Sequence, residues 1–547
     1  MRRIVQLILL ALFVYLIAST KWPPSNFALV DAFLAIDPLL SIQAAIASRT
    51  WVPVLGYGLV LLGLTLLLGR FFCGWMCPMG TCLEFGDDLV FGKKPRRLRK
   101  NHERVLRNLK YGILIVILVA AVFGQGLAFL FDPISWITRI FAYGIWPILE
   151  TFYATLLIFG RPLFEAFGWY GLARELPPTS VMPTLGLVSL IFFAFLIWLG
   201  RYQRRFWCRS ICPLGAMLAI PARFSLFHRK VGSACDNDGK CARTCETGAI
   251  DKGRFRKYDP GECIQCGRCV SDCHLNVTSF APTWSFEQRT PSTDLGRRQV
   301  VGALTVGTVG AVLMTNHAGR KVLGDNTLRP PGALIEDDFL ATCVRCGQCI
   351  KACPTHCLQP AMLQSGLTGI MTPVAQMRIG PCDNNCNACG TVCPTDAIRE
   401  LNLDEKPYAK IGNAIITPGR CVVWEQSRKC LVCDEHCPYG AIYWREVDGG
   451  DRRPFVDENK CNGCGQCEAA CPVEGEAAIR VHPNGQIRLN SGSYLEEAKV
   501  RGLNLREKSD GYGAEGFDPQ EQGQGESPQD DPYGLNAYQN NSSDTFE

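Results

Sequence analysis

No CxxCH motif for covalent haem occurs in this sequence. The seven histidines, His102, His228, His274, His317, His356, His436 and His482, all lie outside the four stretches apolar enough to span a bilayer, which excludes a bis-histidine haem within them. No GxGxxG follows a strand-like run and no Walker loop is present, so neither a dinucleotide nor a nucleoside triphosphate finds its phosphate cradle. No basic stretch is interleaved with aromatics, and the net charge is only +5; nucleic acid is not an expected partner. At 47% apolar and 20% charged, the 547 residues are too apolar for disorder and too charged for a protein lying wholly in the membrane. What the chain has in excess is cysteine, 29 residues of it.

Four segments, roughly 4–20, 52–69, 111–131 and 182–200, are long and apolar enough to cross the hydrocarbon. The first lacks a following small-residue cleavage site and reads as a retained span. Residues 27–49 and 134–160 are apolar but broken by Asp37-Pro38, Pro147, Glu150 and Arg161, and read as interfacial or re-entrant. Lys93, Lys94, Arg96, Arg97, Arg99 and Lys100 follow the second span, and the fourth ends in RYQRR. Cationic short loops stay in the cytoplasm. The nearly balanced loop from Asp132 to Val181 then faces outward.

The spans repeat. RFFCGWMCPMG (70–80) and RRFWCRSICPLG (204–215) each follow a span, share arginine, aromatics and CxxxCP, and are each preceded by an Asp-Pro pair, Asp37-Pro38 and Asp132-Pro133. This is one unit duplicated. Cys73, Cys77, Cys208 and Cys212 are therefore expected at one cytoplasmic membrane edge, as candidate catalytic, redox or metal-binding thiols. If each CxxxC continues its helix, its two sulfurs share a face.

The other cysteines form CxxCxxCxxxC-like runs, the pattern of 4Fe-4S cubes rather than of zinc ribbons or disulfide scaffolds. Three thiolates on a tight loop hold one cube, and the fourth cysteine, expected to open a helix, ligates the neighbouring cube. The runs come in three pairs. By the crossing rule the middle pair uses Cys343, Cys346, Cys349 and Cys393, and Cys382, Cys386, Cys389 and Cys353. The last pair uses Cys421, Cys430, Cys433 and Cys471, and Cys461, Cys464, Cys467 and Cys437. In the first pair Cys263, Cys266, Cys269 and Cys245 hold one cube. The other has only Cys235, Cys241 and Cys273, and in CDNDGKC Asp238 falls where the second cysteine should be. A carboxylate is a harder, weaker donor, so that corner should be labile, as a 3Fe-4S or Asp-ligated cluster. Cys82 and Cys357 are left over and read as packing residues.

With these motifs in place, residues 1 to about 285 resemble the NapH family of membrane ferredoxin-type proteins. Residues 293–485, with the arginine pair, an apolar stretch, RPPGALIEDDFLATCVRCGQCIKACP and four clusters, resemble the NapG or MauM ferredoxin-type proteins. The resemblance implies two partners fused end to end that carry electrons from membrane quinol to a periplasmic reductase or cytochrome, nitrate reductase above all. It also explains GRRQVVGAL (296–304), which is similar to a twin-arginine export signal with Gly and Val where the family has Ser or Thr and Phe. Fusion would turn that signal into a fifth span.

The expected architecture is an α-helical membrane domain (1–204) of four spans plus the fifth, carrying α+β bacterial-type two-cluster ferredoxin modules. A cytoplasmic module occupies 205–285, the twin-arginine-like span 293–320, a periplasmic four-cluster domain 328–485 and a disordered acidic tail 500–547. Six iron–sulfur clusters are implied, with quinol as exchangeable substrate, in a multi-pass protein of the bacterial inner membrane. Two other functions fit the same residues: a maturation or regulatory factor for a periplasmic or copper-containing redox enzyme, and a structural subunit whose clusters dock a catalytic partner. Reduction by quinol separates them from electron transfer.

Overall fold

The computed structural model describes residues 1–23, 31–52, 54–92, 100–169, 183, 185–250, 253–282, 288–290, 295–315, 327–447 and 451–505. The basic residues 93–99, most of the loop 170–182 and the tail 506–547 lie outside the described residues, as do the expected domain edges at 285 and 293.

The duplicated Asp-Pro pairs build matching helix starts. Asp37 caps Pro38–Ser48, accepting from the Leu39 and Leu40 amides at 2.8 and 3.4 Å. Asp132 caps Pro133–Arg139, accepting from the Ser135 amide at 2.7 Å. Asp at the cap and Pro in the first turn are what an initiating helix favours. Both carboxyls are fully buried and in hydrogen-bond contact with each other, so the two repeats meet at their aspartates.

Among the described residues three helices are long and apolar enough to cross a membrane: Arg2–Ser19, Val105–Val122 and Pro133–Ala166. The third corrects the reading of 134–160 as interrupted. The chain passes from α-helix into a π segment, Ile140–Ile145, and on into Trp146–Ala166 without leaving helical geometry. Pro147 follows directly on the π segment, where the regular hydrogen-bond ladder is already interrupted. The stretches expected as the second and fourth spans are shorter helices, Leu55–Leu68 and Gly186–Leu199, each of 14 residues. The first is stopped by Gly69 at φ +72°.

The bundle carries a cluster unit at each end. At the start of Arg2–Ser19, Arg2 donates to the Cys266 carbonyl at 3.3 Å; beyond its other end, the Thr20 carbonyl accepts from Lys351 at 3.5 Å. Eighteen residues at 1.5 Å each put about 27 Å between those contacts. The helix Arg297–Thr315 runs parallel to Lys100–Val122. Gln299 accepts from Asn108, and a Cβ at Gly307 would lie 3.0 Å from Val119, so a larger residue there would have to push Val119 aside. It carries Arg297 and Arg298 in its first turn and is not one of the three long apolar helices.

At the first end the module 205–285 is closed by an antiparallel pair, Phe227–Val231 with Thr278–Pro282. It docks through buried charge: Glu262 accepts from Lys110 at 2.6 Å and from the Tyr111 hydroxyl at 3.1 Å, with Arg70 3.7 Å away. Buried Glu84 and Glu246 gather Arg2, Arg205 and Arg268, the last at 3.0 and 2.6 Å. At the other end Arg345 stacks over Phe129 at 4.1 Å, and Ala47, Ala121 and Ala341 pack together. The four-cluster unit contains the strand pairs Leu358–Pro360 with Pro373–Ala375, Asn413–Ile416 with Ile479–His482, and Ile442–Val447 with Asp451–Val456. Its packing continues past the expected edge at 485: the helix Tyr494–Val500 and Leu503 bury against Leu401 and Ala409.

Burial alone would raise the Glu262 carboxyl, but Lys110, Arg107 and Arg70 hold it down at about 2. Its ionised form thus supports docking at every pH above the ordinary carboxylate range, and that support is lost as pH falls toward 2. Glu262→Gln leaves the buried Lys110 ammonium without its counter-charge, a loss of about 3–5 kcal/mol. Thermal unfolding in detergent at neutral pH should show a lower Tm, with module 205–285 becoming the first region cut by protease.

Candidate iron–sulfur and thiol sites

Three of the cluster loops share one backbone. In CIQCGRC the residue before the second cysteine, Gln265, has φ +51° and the glycine after it, Gly267, φ +75°; in CVRCGQC Arg345 and Gly347 have +53° and +86°; in CNGCGQC Gly463 and Gly465 have +77° and +76°. Two left-handed residues flanking a cysteine turn three successive sulfurs inward, and glycine at the second place takes that conformation without strain. The fourth cysteine closes a short helix rather than opening one, which corrects the expectation. Cys245, Cys353 and Cys471 end Lys240–Thr244, Gln348–Ala352 and Gln466–Ala470 with extended backbone. At Cys353 and Cys471 a following proline forces that geometry.

The cysteines come together in sets around cavities. Cys421, Cys430, Cys433 and Cys471 line one cavity. Cys437, Cys461, Cys464 and Cys467 line a second, and Cys353, Cys382, Cys386 and Cys389 a third. Cys349 feels Cys346, Cys343 and Cys393, and Cys263 feels Cys269, Cys245 and Cys266. Among the described residues no three His, Cys, Asp or Glu side chains converge on a single ion. Sulfurs spaced around a cavity fit a cube, which when bound supplies a one-electron couple.

Burial pushes the thiols of Cys266 and Cys464 up to about 12 and that of Cys393 to about 11. Neutral at physiological pH on their own, they lose their protons to cluster assembly. Cys353 and Cys382 go the other way: hydrogen bonds from Cys357 bring them down to about 5 and about 7. The Cys357 sulfur lies 3.6 Å from that of Cys353 and lines the third cavity, so it adjoins a cube rather than remote packing.

The loop with the missing cysteine keeps the shared backbone. Asn237 has φ +58° and Gly239 φ +69°, on either side of Asp238, matching Gln265 and Gly267 around Cys266. The match extends to hydrogen bonding. Cys266 accepts from the Arg268 amide two residues on, and an Asp238 carboxylate oxygen accepts from the Lys240 amide at 3.1 Å. Its other oxygen faces His274 at 3.8 Å, the neighbour of Cys273, and Cys241 feels both Cys235 and Asp238.

The CxxxCP thiols also converge, but not by continuing their helices. Phe71–Trp75 and Phe206–Ser210 are short helices ending before Cys77 and Cys212, whose extended backbone precedes Pro78 and Pro213. Proline forbids the helical conformation one residue earlier. The repeats interlock by exchange of arginines: a Cβ at Gly80 would lie 3.3 Å from Arg205, and one at Gly215 2.6 Å from Arg70. Cys77 and Cys212 each feel both Cys73 and Cys208.

A family model described as a 4Fe-4S binding domain matches residues 50–98 and again 185–233, and one described as a 4Fe-4S dicluster domain matches 428–474. The chain is 38% identical over 187 residues to the ferredoxin-type protein NapG of Escherichia coli K12, covering 79% of that protein and 32% of this one. It is 36% identical over 194 residues to the methylamine utilization ferredoxin-type protein MauM of Methylophilus methylotrophus, covering 82% of it and 34% of this chain. The chain belongs to the family of NapG- and MauM-like ferredoxin-type proteins. The ferredoxin-type protein NapF of Escherichia coli K12 is 32% identical over 164 residues, 92% of its length and 30% of this chain. No solved structure matches. This ferredoxin-type protein is thus a 4Fe-4S iron–sulfur protein of electron transport with helices able to enter a membrane.

Some residues around these sites carry no sequence signal. Tyr143, on the π segment, buries an unpartnered hydroxyl against Gly347, where a Cβ would lie 2.3 Å away, and adjoins Cys349 and Cys346. Only the π segment, a frequent mark of functional sites, sets it apart. Arg139 stacks over Trp136 at 4.3 Å and points at Met371 of the four-cluster unit.

With Asp238 in the place of a ligand, the cube it shares should be prone to loss of one iron. Electron paramagnetic resonance of the oxidised protein should show a three-iron signal. Asp238→Cys should silence it and raise total iron by about one per chain.

Proposed function

We propose that this chain is a NapH-like membrane ferredoxin joined to a NapG- or MauM-like ferredoxin, and that it passes electrons from membrane quinol to a periplasmic reductase or cytochrome, such as nitrate reductase. The observation that carries the reading is the placement of two cluster units at opposite ends of one helical bundle, about 27 Å apart along Arg2–Ser19. That distance approaches the thickness of the bilayer hydrocarbon, about 30 Å. The parallel helices Lys100–Val122 and Arg297–Thr315 support a fifth span that starts at the first module's end, as a retained twin-arginine-like segment would.

In this reading the inner membrane holds the bundle, the cytoplasm the module 205–285 and the periplasm the domain from 328 onward. Each quinol releases two electrons and two protons, and the cubes accept electrons one at a time. Electrons moving outward gain about 2.3 kcal/mol per 100 mV when the inside is negative. Cys73, Cys77, Cys208 and Cys212, at the junction of the bundle with the first module, stand where a quinol at the membrane edge would deliver its electrons.

Addition of a reduced quinol analogue to the purified protein in anaerobic proteoliposomes tests this. The visible absorbance of the clusters should bleach within seconds to minutes, and the Cys73→Ala, Cys208→Ala double variant should lose that response. Clusters that dithionite reduces but quinol never does would assign the chain to docking or maturation instead.

A further inference from the structure

Each half of the membrane domain matches a 4Fe-4S binding model, yet each brings only two CxxxCP cysteines, half of what a cube requires. We propose that Cys73, Cys77, Cys208 and Cys212 pool to hold a seventh iron–sulfur cube, seated where the bundle meets the first ferredoxin module.

The second cysteine of each pair is shaped like a cluster ligand. Cys77 has φ −61° and ψ 116°, and Cys212 φ −61° and ψ 108°, each followed by proline. The ferredoxin ligands Cys353 and Cys471, also followed by proline, have φ −68° and ψ 114°, and φ −56° and ψ 124°. The sulfurs are hydrogen-bonded in the manner of those ligands. Cys212 accepts from the Gly215 amide at 3.2 Å and Cys77 from the Gly80 amide, as Cys437 accepts from Ala441 at 3.2 Å. Amide donors to sulfur tune and stabilise cube sites. Glycine at both positions leaves room for the crossed arginines. Arg70 lies 3.8 Å from the Cys73 sulfur and Arg205 donates to the Cys73 carbonyl at 3.0 Å. These two buried guanidiniums are shared, Arg70 with Glu262 and Arg205 with Glu84 and Glu246, and they place positive charge beside the thiols, where a thiolate-ligated cube would bring negative charge into a low-dielectric site.

The neighbourhood gives the cube a purpose. A Cβ at Gly74 would lie 2.1 Å from the Ile264 carbonyl, and Trp75 donates to the Gln265 carbonyl at 3.1 Å. Ile264 and Gln265 are the two residues between Cys263 and Cys266, so the four thiols abut the loop of the nearest cube. The role of this seventh cube as the entry point for electrons rests on the quinol-linked reading above; its existence does not.

The test is a count on the full-length protein purified anaerobically, and it needs no quinol. Seven cubes carry about 28 acid-labile sulfides per chain and six carry about 24, whether or not the Asp238 cube has lost an iron. About 28 is expected, with the Cys73→Ser, Cys208→Ser variant losing about four sulfides and four irons and keeping the spectrum of the remaining clusters. A native count of about 24, or a variant with unchanged sulfide and iron, overturns the proposal, and so does about 24 sulfides with one zinc per chain. Should the double variant fail to accumulate, the native count decides alone.

Discussion

A cube of iron and sulfide needs four ligands, and in the crossing arrangement proposed for this chain no cluster loop supplies all of its own. The last ligand of each cube would come from the loop of the partner run, so the metal chemistry itself would hold the two runs of a pair together. Cys393 joins Cys343, Cys346 and Cys349, and Cys471 completes the cavity of Cys421, Cys430 and Cys433. The strands in these units are short, three to six residues, and cannot bury much apolar surface. Cysteines supply part of what core there is. Thiols that burial keeps neutral without metal make folding and cluster assembly one event.

The same economy appears at the membrane. Buried charge joins the bundle to the first module, Lys110 facing Glu262, Arg2 facing Glu246 and Glu84 facing Arg268, while Arg345 stacked on Phe129 and a set of alanines join it to the second cysteine-rich unit. Removing one partner from a buried ion pair is costly because the other charge stays behind. Docking at the first end is therefore specific, and the CxxxCP segments are fixed against the loop between Cys263 and Cys266. At the second end Tyr143 and Gly347 meet at a distance that admits no side chain, which fixes the π segment beside Cys349.

Much of this was legible in the sequence because ligand spacing is set by metal geometry, which does not depend on the surrounding fold. The six runs, their pairing and the place of Asp238 follow from counting residues. The duplicated Asp-Pro pairs were legible too, though not that their carboxyls meet. The errors came where neighbours override spacing. CxxxC suggested sulfurs one helical turn apart, but Pro78 and Pro213 pull Cys77 and Cys212 out of the helix. The polar and proline residues within 134–160 suggested a broken segment, but a π segment directly before Pro147 absorbs the irregularity. The arginine exchange between Arg70 and Gly215, and between Arg205 and Gly80, joins residues well over a hundred positions apart. No local pattern encodes it.

The separation of two cluster units by the bilayer is tested most directly by alkaline phosphatase fusions in a bacterial host, since the reporter is active only once exported. Fusion after Leu328 should give activity and fusion after Pro282 none. Activity at both positions, or at neither, would contradict a chain that carries its first ferredoxin module inside and its four-cluster unit outside.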